Sequence, residues 1–327
     1  MEQRKLGSQG LTVSVEGLGC MGMSAFYGPS DEAENLSTLA RAQELGINFF
    51  DTAEIYGPFK NEQLLARAFK GKRDNVQIAT KVGSEVTDAG ERLAVNGTPD
   101  YIFKAIDRSL RHLQTDYVDL YYLHRIDPKV AIEESIGALA ELVKAGKVRY
   151  IGVSEASPAT LRRAHKVHPL TALQTEYSLF ERTPEENDVL STIRELGIGF
   201  VSYSPLGRGL LTGQIKKIDD LAADDFRRSN PRWTGDNFAK NLALVDRINA
   251  VAAKKGVTAG QIALAWTIAQ GTVPIPGTRR LKYLEENADA AAIQLSKDDL
   301  AALEDAAPVG AAAGDRYTAP GMAGLNH

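Results

Sequence analysis

Four polar residues stand at or just beyond the ends of short apolar runs, and their types suit proton transfer at a carbonyl group. Asp51 closes the run 47–51, and Tyr56 follows five residues later, ahead of a Gly57-Pro58 turn. Lys81 follows the run 76–80, and His124 follows the run 117–123. A tyrosine titrates near pH ~10, too weak an acid for fast proton donation unless its phenolate is stabilised. A neighbouring ammonium favours the charged form. Lys81 is therefore expected to lower the pKa of Tyr56, with Asp51 keeping Lys81 charged and in place. His124 is expected to donate a hydrogen bond to a carbonyl oxygen, orienting it between Tyr56 and a hydride donor. Such a set stabilises the alkoxide that develops when hydride adds to a carbonyl. Each residue also has a plainer role: Asp51 as a cap, Tyr56 as a packing aromatic, Lys81 as a solvated charge, His124 as a hydrogen-bonded ring. Their shared position at strand ends favours the chemical reading.

The elements that must position them alternate along the chain. Apolar runs at 17–19, 47–51, 76–80, 117–123, 148–153, 170–174, 197–202 and 272–276 predict buried strands. Helical periodicity predicts helices over 31–45, 61–69, 99–113, 130–145, 158–167, 185–196, 237–255 and 281–292. Ser30 and Ser157 are placed to cap helix starts, and Gly46, Gly146 and Gly197 to end helices. Eight strand-then-helix units fit a closed (β/α)8 barrel, a TIM barrel, whose usual size is ~250 residues before insertions. A doubly wound open sheet is the competing topology. The remaining length is assigned to an N-terminal hairpin at 2–15, a long loop at 204–236 after the seventh strand, and a C-terminal extension from Ser296. No Pro/Ser-rich linker divides the chain, so a single domain spanning 1–327 is expected. In such a barrel the strand ends form one mouth, which brings Asp51, Tyr56, Lys81 and His124 together.

Composition narrows the class. With 43% hydrophobic and 24% charged residues the chain is an ordinary globular sequence able to bury a core. A formal net charge of −4 argues against general binding to nucleic acid or anionic membranes. The single cysteine, Cys20, rules out an internal disulfide and suits a reducing compartment. The polar start reads as no signal peptide, and the most apolar stretch, 259–275, is interrupted by Gln261, Thr267 and Gln270. That stretch is too short and polar to cross a bilayer. A cytoplasmic protein with no metal site, acting on a small molecule as a monomer or small homo-oligomer, is the expectation.

One motif is a decoy. Gly17, Gly19 and Gly22 match G-x-G-x-x-G, but a dinucleotide fingerprint needs its third glycine in the first turn of a helix. Here Phe26, Tyr27 and a Gly28-Pro29 turn intervene, and Asp51 lies too far on to be the acidic partner, expected ~20 residues away. These glycines are read as backbone turns beside a pocket.

Taken with the strand-end residues, a series of ordered motifs resembles the aldo-keto reductases. They are 49–57 (Phe-Phe-Asp-Thr-Ala-Glu-Ile-Tyr-Gly), Ala79-Thr80-Lys81, 119–124 ending in His124, Ile151-Gly152-Val153-Ser154, Leu173-Gln174, 203–209 from Tyr203 to Gly209, Ile275-Pro276-Gly277-Thr278, and Glu285-Glu286-Asn287. The similarity runs from Arg4 to about residue 307, closest to the bacterial and plant branch that reads Gly-Val-Ser-Glu. It implies an NADPH-dependent reduction of an aldehyde or ketone, with the tetrad Asp51, Tyr56, Lys81 and His124. It also implies that Ser154 and Gln174 hold the nicotinamide carboxamide and that Tyr203 stacks on the ring. Gly22 would line the cofactor, and Ser204, Pro205, Leu206 and Arg208 would pass over the pyrophosphate. Thr278, Arg279 and Arg280 are placed at the adenosine 2′-phosphate, where a helix start and two guanidiniums suit a phosphate. Glu286 and Asn287 match the adenine contacts. Glu155 stands where many relatives carry Asn, and Tyr283 where many carry Arg.

Met23, Phe26, Tyr27, Phe59 and the tail around Arg316 and Tyr317 are expected near the mouth, as a partly aromatic wall for the carbonyl compound. Arg227, Arg228 and Trp233 fall in the 204–236 loop, read either as a clamp or as a solvated basic turn. Two other functions compete: an NADPH-binding regulatory subunit with slow turnover, and a lyase or isomerase using Lys81 as a Schiff base.

Overall fold

Eight parallel strands carry the fold in the computed structural model, which describes residues 1–325. They are β1 (Leu18–Gly19), β2 (Phe49–Asp51), β3 (Gln77–Val82), β4 (Val118–Leu123), β5 (Val148–Ser154), β6 (Ala172–Glu176), β7 (Gly199–Tyr203) and β8 (Val273–Pro274). Each pairs with the next in chain order. The ring closes where Gly17 N donates to Pro274 O at 2.9 Å and Gly19 pairs with Gly277. This closure makes a (β/α)8 barrel and excludes the doubly wound open sheet. Strands in such a ring are covered on both faces, which is why they read as unbroken apolar runs. In β4, Leu120 and Tyr122 fill the interior with Phe49, Ala79, Ala172 and Val201, whereas Tyr121 and Leu123 face the helix layer.

That layer comprises α1 (Glu32–Glu44), α2 (Lys60–Ala68), α3 (Pro99–Leu113), α4 (Ile132–Lys144), α5 (Pro158–Val167), α6 (Val189–Leu196), α7 (Gly235–Lys255), α8 (Ala259–Ala269) and α9 (Leu281–Asp289), followed by α10 (Lys297–Ala306). Ser157 caps α5 as expected, accepting from Thr160 N ahead of Pro158. At α1 the cap is Asp31 instead, which accepts from Glu34 N at 2.8 Å. Ser30 stands one residue earlier, where its hydroxyl donates to Met23 O at 2.6 Å and accepts from Asn35 Nδ2 at 3.3 Å. The expected helix over 185–196 is broken at Asp188, whose φ of 62° is left-handed and separates a short turn (Thr183–Glu186) from α6. Helix α8 was not predicted, because nearly all its residues are buried and it lacks the polar face that produces a helical period. A capping box between Thr258 and Gln261 starts it.

Gly17 and Gly19 are not turns. Neither has positive φ. They lie where the barrel closes: a Cβ on Gly17 would meet the Phe49 ring at 2.7 Å, and one on Gly19 would meet Ile275 O at 2.7 Å. Only glycine permits so close a seam. Gly22 lies in a 3-10 turn, not in the first turn of an α-helix, so the dinucleotide fingerprint is false.

The N-terminal hairpin (Gln3–Lys5 with Thr12–Ser14) closes the barrel floor, with Gly7 packed against Thr171 O and Gly197 O. A second hairpin (Ser84–Val86 with Arg92–Val95) rises beyond β3 and was not anticipated. The expected span 1–327 ends on residues 326–327, which lie outside the described residues. Among the described residues no helix is long and apolar enough to cross a membrane.

Candidate active site

The ends of β2, β3 and β4 deliver Asp51, Lys81 and His124 to one point. Lys81 is fully buried, and its Nζ donates to Asp51 Oδ1, to Thr52 O at 2.8 Å and to Tyr56 OH at 3.3 Å. The other Asp51 oxygen accepts from Gln174 Nε2 at 2.7 Å. The His124 ring meets the Tyr56 ring edge-on, with centroids 6.0 Å apart. Its Nδ1 is buried without a hydrogen-bond partner. Tyr56 lies on the short turn between β2 and α2, a turn braced from behind. Glu54 accepts from Arg108 at 2.9 Å, from Tyr101 OH at 3.1 Å and from Gly83 N at 3.3 Å. All four sequence-predicted tetrad residues therefore converge.

The charges behave differently from expectation in one respect. Burial pushes the Tyr56 phenol well above its ordinary value, and Asp51 adds to the rise. The main opposing charge is Arg125, not Lys81. In the free chain, burial and the Asp51 charge outweigh the cations around the phenol. Tyr56 is accordingly a protonated phenol, poised to give a proton rather than to rest as a phenolate. Burial holds the Lys81 pKa down, with Asp51 opposing the fall. Burial, reinforced by Arg125 and Lys81, holds His124 well below its usual range. The ring is neutral near pH 7 and carries one N–H.

The next three strand ends line the same mouth. Ser154 and Gln174 are register partners on β5 and β6, and Glu176 pairs with Tyr203 across β6 and β7. Ser154 Oγ accepts from Arg125 Nη1 at 3.2 Å. Tyr203 OH donates to Glu155 at 2.9 Å and lies 2.9 Å from Tyr317 OH. Glu155 itself, buried with a left-handed φ of 57°, accepts both terminal nitrogens of Arg316 at 2.7 Å. The sequence departure at 155 thus has a structural partner in the tail. Asn230 and Asn241 hold that tail through Arg316 O and both backbone groups of Ala313.

The 204–236 segment is ordered, not a solvated basic turn. Ser204 (φ 49°) and Arg208 (φ 60°) adopt left-handed backbone beside Gly207 and Gly209. Arg208 pairs with Glu176 at 2.8 Å. Arg227 grips Asp225 and donates to Arg208 O at 3.0 Å. Tyr27 packs edge-on against Phe226, and Trp233 stacks on Phe238. The expected aromatic wall needs two corrections. Phe59 faces the helix layer, tilted against His112 with Arg108 over its ring, and Met23 is buried in the outer core. Both stand in loops, but the chain turns them away from the mouth.

Beyond β8, Arg279 and Arg280 diverge. Arg279 reaches back to Tyr27 O at 3.1 Å and Gly28 O at 3.2 Å. Arg280 is exposed, makes no side-chain bond among the described residues, and precedes α9, whose first turn has no side-chain cap. Glu286 accepts from Thr258 at 2.7 Å, and Asn287 is largely buried beside it. A groove of about 130 Å³ between Thr212–Lys216 and Val245, Asp246 and Asn249 runs along this side. A larger cavity of about 310 Å³ lies at the barrel floor against Gly7 and Arg194, at the opposite end from the tetrad.

Sequence reasoning passed over Arg125 and Glu54 as individual site residues, and it placed Arg316 near the mouth without its partner Glu155. A basic residue directly after a strand-end histidine was the one local signal for Arg125. Nothing local points from residue 316 to residue 155.

The Aldo/keto reductase family profile matches residues 17–308. Over 320 residues the chain is 46% identical to aldo-keto reductase yakc [NADP(+)] of Schizosaccharomyces pombe, covering 96% of this chain and 94% of that protein. It is 44% identical to probable aldo-keto reductase 1 of Glycine max, covering 99% and 92%. Among solved structures it resembles the glycerol dehydrogenase AKR11B4 from Gluconobacter oxydans, with a TM-score of 0.85, 29% identity, and 93% and 94% coverage. The holo form of aldo-keto reductase AKR11C1 from Bacillus halodurans gives a TM-score of 0.78 at 29% identity, covering 95% and 97%.

Proposed function

The chain belongs to the aldo/keto reductase family, and from that premise we propose that it reduces an aldehyde or ketone with NADPH, taking the proton from Tyr56. The observation that carries the residue roles is the buried Asp51–Lys81–Tyr56 cluster with the His124 ring against it. A carbonyl oxygen bound between Tyr56 OH and the unpartnered His124 ring receives two donors at the point where negative charge develops. NADPH, when held by these residues, would supply the hydride. Tyr56 then gives its proton to the oxygen, and the Lys81 ammonium, 3.3 Å away, stabilises the phenolate left behind. Asp51 and Thr52 O fix that ammonium in place. With three oxygens around Nζ, Lys81 is poorly set to attack a carbonyl as a free amine, which weighs against a Schiff-base lyase.

The residues present fit the cofactor. Ser154 and Gln174 share a register at the mouth and suit the carboxamide, and Tyr203 suits the ring face. The left-handed backbone at Ser204 and Arg208, with Pro205 and Leu206 between, suits close approach by a pyrophosphate. Gly22 follows β1 and Thr278 follows β8, the two strands between which the barrel closes. Arg280, free at the start of α9, suits the 2′-phosphate, whereas Arg279 holds the loop at Tyr27. Glu286 and Asn287 suit the adenine. The slow regulatory subunit draws on no feature of this site. We place the enzyme in the cytoplasm as a one-domain monomer or small homo-oligomer. An NADPH-consumption screen across aldehydes, ketones, sugars and quinones tests the reading. Turnover of at least one class is expected, and none across the panel by folded, NADPH-binding protein overturns it.

A further inference from the structure

Buried arginines on this side of the molecule come with carboxylates. Arg108 has Glu54 at 2.9 Å, Arg208 has Glu176 at 2.8 Å, Arg232 has Glu181 at 2.7 Å and Arg316 has Glu155 at 2.7 Å. Arg125 does not. Its Nη1 donates to His124 O at 2.7 Å and Ser154 Oγ at 3.2 Å, both neutral acceptors. Nε and Nη2 make no bond within the described chain, and neither is sealed from solvent. A guanidinium has five donors in a fixed fork that matches a carboxylate, and withdrawing its charge from water without a counterion is unfavourable. This one follows His124 directly, spans the ends of β4 and β5, and acts through its charge on both Tyr56 and His124, which places it beside the position proposed for the reacting carbonyl.

We propose that Arg125 is the substrate-recognition cation of the mouth and selects carbonyl compounds that carry a carboxylate: oxo acids, with the acid group a few bonds from the reacting carbon. This rests on the reductase reading above. The carboxylate seats on the free edge of the guanidinium while the carbonyl oxygen sits between Tyr56 and His124. The acid group is unchanged by the reaction: the carbonyl carbon gains hydride from NADPH, and its oxygen gains the Tyr56 proton. No further reactant is needed. The hydroxyls of Tyr203 and Tyr317 border the same space, and the one carboxylate whose charge acts on Arg125, that of Glu155, is already held by both terminal nitrogens of Arg316.

The test compares 4-formylbenzoate with its neutral methyl ester in wild-type, Arg125→Met and Arg125→Lys proteins. Wild type is expected to favour the acid by roughly tenfold or more in kcat/KM, chiefly through KM, with the preference lost in Arg125→Met and partly kept in Arg125→Lys. Calorimetric titration of NADP-loaded protein with benzoate and benzamide reads the same preference without turnover. Any of three results overturns the proposal: equal kcat/KM for acid and ester in wild type; the same loss for both substrates in Arg125→Met, which makes the guanidinium a brace for His124 and Ser154; or NADPH binding weakened by that factor in Arg125→Met, which places the residue on the cofactor. Ester turnover tests the reductase reading separately. Arg125-dependent benzoate binding with no turnover of either aldehyde sinks that reading and leaves the anion site standing.

Discussion

Tyr56 is a protonated phenol held by burial, one hydrogen bond from an ammonium that is already paired. Removing only the hydroxyl deletes the acid and leaves the ring against His124. Tyr56→Phe is expected to lower kcat by ~10²–10⁴-fold while NADPH affinity holds. Fluorescence titration beside steady-state rates checks this, and near-normal turnover by the folded variant rejects Tyr56 as the acid. His124 supplies a stability test with a defined sign. Its folded pKa is depressed by burial below the ordinary 6.5. Between the two values the unfolded chain binds more protons, so stability rises with pH there. The contribution is complete above about pH 6.5 and fades as pH falls toward the folded value. Urea unfolding from about pH 7 to about pH 5 should show wild type losing stability faster than His124→Asn, and parallel curves would contradict the depressed ring.

Elements explain what single residues leave open. Both arginines after β8 look equally suited to a phosphate, but the loop following β1 claims Arg279 through two carbonyls and leaves Arg280 at the uncapped start of α9. Arg280→Ala is therefore expected to weaken NADPH binding by ~1.5–3 kcal/mol without moving NADH affinity or the melting temperature. Arg279→Ala should instead lower the melting temperature, because it frees β1's loop from β8's. Titrating each variant with both cofactors, with parallel melts, separates the roles. An Arg279→Ala protein with an unchanged melt and lost NADPH selectivity would reverse the assignment.

At the scale of the whole molecule, the tail returns to the mouth across 161 residues of sequence to pair Arg316 with Glu155. This pair also holds Tyr203, through Glu155 Oε1. A buried charge left unpaired costs about 3–5 kcal/mol, more than an exposed one because water cannot replace the partner. Arg316→Met is expected to destabilise the fold by about that amount, and Glu155→Gln in the same chain to restore much of it. A double-mutant cycle in denaturant measures the coupling, and additive losses would show that the two groups are independent.

The barrel and its tetrad were legible because both are local. A strand covered on two faces must be apolar, a helix with one buried face must repeat, and a residue ending such a strand must stand at the mouth. Asp51, Lys81 and His124 needed only that logic. Helix α8 escaped because burial on all sides erases the period that announces a helix. The wall residues Met23 and Phe59 were misplaced because a loop sequence does not say which way its side chains turn. The Tyr56 phenol lies higher than a neighbouring ammonium alone would put it, because a sequence lists charges without their burial, and here burial and Asp51 outweigh the cations. Sequence alone thus determined which residues reach the mouth along their own strands. Tertiary structure decided how charges pair there, which arginine is spoken for, and that Arg125 has no acidic partner. Electrostatic energy depends on separation and burial, and separation between remote segments exists only once the chain has closed on itself.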